Sequence, residues 1–106
     1  MSLNITKKDD LLIIELDGEL DQHMAKSVKD RIDHAITTSF LKNVVFDFSG
    51  VSLMDSSGIG LIMGRSKTIR EYGGTLTIHG LSPKMREIFD LSGLRKIVKY
   101  AEEVSQ

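Results

Sequence analysis

The residues that decide the fold are Val44-Val45-Phe46-Asp47-Phe48, then Ser49-Gly50-Val51-Ser52-Leu53-Met54-Asp55, then Ser56-Ser57-Gly58-Ile59-Gly60-Leu61-Ile62-Met63-Gly64-Arg65 and on to Gly73-Gly74. The first five are β-branched and aromatic around one acid, which predicts a buried strand. The next seven read as a short loop. Ile59, Ile62, Met63, Ser66 and Ile69 then recur at three- and four-residue steps. That spacing predicts a helix of about 15 residues, about 22 Å long, with those side chains inward. Gly73-Gly74 stops it.

Upstream of this unit, Leu3 to Lys7 alternates apolar and polar residues, as a half-buried strand does. Lys7-Lys8-Asp9-Asp10 reads as a turn, and Leu11 to Leu16 as a second strand closing a hairpin. Gly18-Glu19-Leu20-Asp21 reads as a strand-to-helix turn with Asp21 as cap. Met24, Ala25, Val28, Ile32, Ala35 and Ile36 form the apolar stripe of the helix that follows, opposite Lys26, Lys29, Asp30, Asp33 and His34. Downstream, Thr75 to His79 is a fourth strand. Ser82-Pro83 starts a helix with Met85, Ile88 and Phe89 on its apolar face, and Gly93 ends it. Ile97 to Tyr100 is a last edge strand before a short tail. The order β-β-α-β-α-β-α-β implies parallel pairing with right-handed crossovers. The expected fold is a single α/β domain over residues 1–106. Its small mixed sheet carries an antiparallel N-terminal edge and is packed with helices.

Composition narrows the function. The 106 residues are 41% hydrophobic and 27% charged, ordinary values for a soluble globular domain. Fourteen basic and fifteen acidic residues leave a formal charge of −1, no footprint for nucleic acid or an anionic membrane. The longest apolar run, Leu11 to Ile14, is far too short to span a bilayer. The N-terminus does not read as a secretory signal. With no cysteine there is no disulfide, iron–sulfur cluster or thiol nucleophile, which is compatible with a reducing cytoplasm. His23, His34 and His79 lack metal-ligand spacing and read as surface residues rather than a catalytic base.

The unusual chemistry lies in Met54-Asp55-Ser56-Ser57-Gly58-Ile59-Gly60. Asp55 or Ser56 can accept hydrogen bonds from the free N–H groups where a helix starts. A helix N-terminus also favours negative charge, including phosphate. Two readings stand side by side, a plain helix cap and a phosphoacceptor serine. Ser57, Gly60, Leu61, Gly64 and Arg65 fall opposite the apolar stripe. Glycine within a helix costs about 1 kcal/mol relative to alanine. Gly60 and Gly64 therefore either make a smooth patch for a partner backbone or pack against the domain's own strands. Enzyme patterns fail. Neither Ser56 nor Ser57 sits in Gly-x-Ser-x-Gly. In Gly58-x-Gly60 followed by Gly64, the third glycine is one residue late for a dinucleotide loop, and there is no Walker loop. Asp47 lacks the acidic pair of a phosphoaspartate site and reads as a strand residue facing a polar edge.

Gly18-Glu19-Leu20-Asp21, Met54-Asp55-Ser56-Ser57-Gly58-Ile59-Gly60, Gly64-Arg65, Gly73-Gly74 and Ser92-Gly93-Leu94 together closely resemble the anti-sigma factor antagonists. These are single STAS domains of sporulating and stress-responding bacteria. The likeness runs from the first strand to about Tyr100. Ser82-Pro83 and Phe89-Asp90-Leu91-Ser92-Gly93-Leu94 bring it nearest to the sporulation sigma-F branch, with the stress-response sigma-B branch the closest competitor. The family's final helix is expected to be shortened here.

The resemblance implies a monomeric cytoplasmic regulator that catalyses nothing and carries no cofactor. Its unphosphorylated form would bind an anti-sigma factor that is also a serine kinase, freeing the sigma factor. The kinase would phosphorylate Ser56, and a PP2C-type phosphatase would reset it. Asp21, Asp55, Ser56, Ser57, Gly58, Gly60, Leu61, Gly64 and Arg65 are the expected partner-binding residues. Nucleic acid, membrane and metal are not expected. Two other classes remain: a STAS scaffold or nucleotide-binding module without a kinase, and a small enzyme using a base near Ser56.

Overall fold

The computed structural model describes residues 2–102. Its elements are β1 (Ser2–Lys8), β2 (Leu11–Leu20), α1 (Gln22–Ser39), β3 (Asn43–Met54), α2 (Ser56–Glu71), β4 (Thr75–His79), α3 (Pro83–Leu91), a 3-10 turn (Leu94–Lys96) and β5 (Lys99–Ala101). The five strands form one sheet in the order β1-β2-β3-β4-β5. β1 is antiparallel to β2 and every other pair is parallel, as the hairpin and the alternating pattern predict.

Period-two alternation sorts the strand residues onto two faces. Leu12, Ile14 and Leu16 of β2, Val44, Phe46 and Phe48 of β3, and Leu76 and Ile78 of β4 join one core cluster. Val28, Ile32 and Ile36 of α1, Ile62 and Ile69 of α2, and Met85 and Phe89 of α3 close it. Right-handed crossovers between neighbouring parallel strands bring all three helices to that face. Ile13, Val45 and Thr77, paired across the sheet, point the other way. Phe46, Phe48 and Phe89 are fully buried, each contributing about 1.5–3 kcal/mol by area removed from water.

The three helix starts are capped as their sequences suggest. Asp21 Oδ1 accepts the Met24 N–H at 2.9 Å, Asp55 Oδ1 accepts that of Ser57 at 2.8 Å, and Ser82 Oγ accepts that of Met85 at 3.2 Å. Such caps contribute about 0.5–2 kcal/mol each.

Three boundaries differ from the sequence reading. Gly18 to Leu20 is not a turn and Ser49 to Met54 is not a loop. The two stretches extend β2 and β3 by pairing with each other, Asp17 with Gly50, Gly18 with Val51, Glu19 with Leu53 and Leu20 with Met54. The register slips between Gly18 and Glu19. Gly18 has φ 106°, a left-handed conformation that glycine adopts without a Cβ penalty. β3 thus runs seven residues beyond Asp47, its last residue paired with β4, where it faces His79. The last strand also starts later than expected, at Lys99, because Leu94 to Lys96 first makes a 3-10 turn. The tail expected after Tyr100 lies mostly outside the described residues.

Candidate functional site

The paired extension of β2 and β3 sets two helix starts side by side. Leu20 and Met54 are register partners, and the residue after each is a cap, Asp21 for α1 and Asp55 for α2. The Asp55 N–H donates to the Leu20 carbonyl at 3.4 Å, tying the two starts together. Asp21, Gln22, His23, Lys26 and Asp55 line an open cleft of about 430 Å³. Glu19, Leu20, Asp21, Leu53 and Asp55 line a second, smaller one beside it.

Ser56 is the first residue of α2 and is exposed. Asp55, not Ser56, is the cap, so the Ser56 hydroxyl is not needed to hold the helix start. Among the described residues that hydroxyl has no hydrogen-bond partner. Ser57 is partly buried and spends its backbone N–H on Asp55.

The helix α2 is rotated from the expected setting. Its buried residues are Gly58, Leu61, Ile62, Arg65, Ser66 and Ile69, whereas Met63 is 48% exposed. Three expected partner-facing residues therefore turn inward. Leu61 belongs to the core cluster. Arg65 is buried and places Nε 2.6 Å from Asp33 Oδ1, an ion pair that ties α2 to α1. A Cβ on Gly58 would lie 2.2 Å from Met54 Cγ and 3.2 Å from Leu20 Cδ2, so this glycine is required by packing. The rotation follows from these two residues. A glycine that must admit Met54 and an arginine with a carboxylate waiting on α1 both draw their side of the helix toward the sheet.

Gly60 and Gly64 do the opposite. A Cβ on either would meet nothing within 4 Å. The reading in which they pack against the protein's own strands is therefore removed. Ser56, Gly60, Met63, Gly64 and Lys67 fall on one outward side of the helix by their 3.6-residue spacing. Met63 and the 58% exposed Leu53 are apolar residues on this rim that the sequence reading missed. Leu53 had a usable signal. In an extended strand it must face away from its buried neighbour Met54.

His23 lines the rim's cleft, whereas Asp47 and His79 stay outside it. Asp47 Oδ1 accepts hydrogen bonds from the Ser49 N–H and hydroxyl at 2.9 and 2.6 Å. His79 is partly buried, with Nδ1 2.9 Å from the Ala101 carbonyl. Among the described residues no group of three or more potential ligands could hold a metal, and no helix is long and apolar enough to cross a membrane.

The model of the STAS domain family matches residues 2–106. An anti-sigma F factor antagonist from Paenibacillus polymyxa is 38% identical over 96 residues, 90% of this chain and 82% of that protein. An anti-sigma-B factor antagonist from Listeria monocytogenes is 30% identical over 101 residues, 93% of this chain and 87% of that one. The solved structure of the Bacillus cell fate determinant SpoIIAA in its phosphorylated form aligns with a TM-score of 0.74 at 31% identity, over 96% of this chain and 93% of that chain.

Proposed function

The chain belongs to the STAS domain family, and on that premise we propose that it is an anti-sigma factor antagonist switched by phosphorylation of Ser56. Unphosphorylated, it binds an anti-sigma factor that is also a serine kinase, and the sigma factor is released. The protein acts as a cytoplasmic monomer and is a regulator rather than an enzyme. The sigma-F branch is the better match, at 38% identity against 30% for the sigma-B relative.

The observation that carries this reading is the pairing of a free hydroxyl with an empty helix face. Ser56 is exposed beside a cap that does not use it, and Gly60 and Gly64 leave room along the same side. Two helix glycines with nothing of their own to accommodate each cost the fold about 1 kcal/mol. A partner that approaches the backbone closely gives that cost a purpose. The surface proposed for it is Asp21, Asp55, Ser56, Gly60 and Gly64, with Leu53 and Met63 as apolar contacts and Ser57 at the margin.

The switching step is simple in chemical terms. The Ser56 oxygen attacks the γ-phosphorus of the kinase's ATP and loses its proton, and the bond to ADP breaks. A PP2C-type phosphatase hydrolyses the ester and returns the hydroxyl and inorganic phosphate. The phosphate brings about −1.5 to −2 charges to a place already holding Asp55. An acidic partner group brought within about 5 Å of the phosphate is repelled by roughly 3 kcal/mol per unit charge at an effective dielectric near 20. At about 1.4 kcal/mol per decade, that is on the order of a hundredfold in affinity. The helix N-terminus makes the same phosphate tolerable to the fold, by about 0.3–1 kcal/mol. The partner surface is made unwelcome without refolding.

The test is mass spectrometry of peptides after incubation with ATP and the anti-sigma kinase. One phosphate on Ser56, absent in Ser56→Ala, is the expected result. Tight binding without phosphate would make the protein a static antagonist. Neither binding nor phosphate would return the site to the ligand-binding reading, for which added nucleotide must raise the melting temperature.

A further inference from the structure

At the far end of α2 from Ser56 lies a cleft of about 290 Å³ lined by Ser66, Arg70, Gly74, Thr75, Leu76, Arg95, Lys96, Ile97, Val98 and Lys99. It opens between the last turns of α2, the start of β4 and the 3-10 turn leading into β5. Arg70 is fourteen residues along α2 from Ser56, about 21 Å at 1.5 Å per residue, so the cleft is not part of the rim. Its charge is one-sided. Four of its lining residues are cations and none is an acid, in a chain whose formal charge is −1. Arg95 is partly neutralised by its ion pair with Asp90. Among the described residues Arg70, Lys96 and Lys99 have no acidic partner. The floor is apolar, with Leu76 and Val98 buried and Ile97 partly so, and the hydroxyl-bearing Ser66 and Thr75 join the lining.

We propose that this cleft binds a small phosphate-bearing anion, with Arg70, Lys96 and Lys99 supplying the charge and the Leu76–Val98 floor holding any apolar body attached to the phosphate. The size agrees, since about 300 Å³ is the lower end of small-molecule sites. Arg70 also offsets the helix dipole, as a cation in the last turn of a helix does. That task explains neither Lys96 nor Lys99, which belong to the opposite wall, and it predicts no ligand.

The experiment is a titration of the isotope-labelled full-length protein followed by amide resonances, with pyrophosphate in one arm and ADP in the other. The proposal expects saturable shifts at Gly74, Thr75, Leu76 and Lys96 to Lys99, with half-saturation at about 1 mM or below. Tighter binding of pyrophosphate assigns the site to a free polyanion, and tighter binding of ADP brings the apolar floor into play. Replacing both exposed lysines, Lys96→Gln with Lys99→Gln, should weaken binding about tenfold or more and leave resonances elsewhere in place. Added salt should weaken it as well. The proposal is overturned if neither anion saturates these shifts by about 20 mM. It is equally overturned if the shifts cluster at Ser56 to Gly58, or if the double variant binds as tightly as the native chain.

Discussion

Gly58 and Gly60 stand two residues apart in one helix and serve opposite ends. A Cβ at Gly58 would press on Met54 and Leu20, whereas one at Gly60, or at Gly64 a turn later, would touch nothing. The first glycine is there so that α2 can lie close to the ends of β2 and β3. The other two do nothing for the fold that alanine would not do better. The same residue type is thus a packing requirement on one side of α2 and a cost without internal return on the other. The inward side explains where Ser56 is held. On the outward side the proposed partner would supply the reason.

The largest effect expected from breaking this contrast is at Gly58. Gly58→Val should lose about 3 kcal/mol, since overpacking a filled core typically costs 1–3 kcal/mol and here both obstructing side chains are themselves buried. Thermal unfolding, at about 4 °C or more per kcal/mol, reads it directly. A melting temperature equal to the native value would mean that the start of α2 is looser than its contacts imply.

Arg65 comes next. Removing one partner of a buried ion pair costs about 3–5 kcal/mol. Asp33 keeps 27% of its side chain exposed and has Lys29 at 3.3 Å as a second partner, so Arg65→Ala should cost about 2 kcal/mol. Partner affinity should fall little if Arg65 acts only inside the fold. A large loss of binding with an unchanged melt would restore Arg65 to the partner-facing surface.

These two residues also mark where the sequence stops being legible. The caps Asp21, Asp55 and Ser82 are local signals, each bonding a backbone N–H two or three residues on, and they could be read directly. The order of elements along the chain and their parallel pairing followed equally from alternating periods. The setting of α2 did not. Choosing its inward face by counting apolar residues puts Met63 in and Arg65 out, but the ion pair with Asp33, thirty-two residues away, decides the reverse. Ser49 to Met54 failed for a similar reason. Ser49-Gly50 has the composition of a loop, and only pairing with Asp17 to Leu20 makes the stretch a strand. Local chemistry located the candidate serine; long-range contacts determined which of its neighbours share its surface.

Gly60→Val and Gly64→Val sharpen the contrast from the other side. With nothing within 4 Å, each should leave stability unchanged or raise it by up to about 0.5 kcal/mol, because valine is the better helix former. Binding to the anti-sigma partner, followed by calorimetry, should weaken at least tenfold, about 1.4 kcal/mol. Opposite signs for folding and binding at these positions, against a purely structural loss at Gly58, would establish that the two sides of α2 are under different demands. Binding at native strength in both variants would remove the glycine face from the proposed interface.

The smallest effect on the fold belongs to the residue proposed to matter most. Ser56→Ala removes a hydroxyl that holds no bond among the described residues, so unfolding should shift by no more than about 0.5 kcal/mol, the usual range for a surface substitution. Ser56→Asp gains from the helix dipole and loses to the neighbouring Asp55, and the two terms are of similar size, about 0.3–1 kcal/mol. Its melt should also stay near the native one. In binding the two variants should part, with alanine associating at native strength or better and aspartate losing at least tenfold. That separation of a silent fold from a responsive surface is what a phosphorylation switch at a pre-capped helix start requires. If Ser56→Ala abolished cooperative unfolding, Ser56 would be a second cap beside Asp55, and phosphate there would act by damaging the helix rather than by repelling a partner.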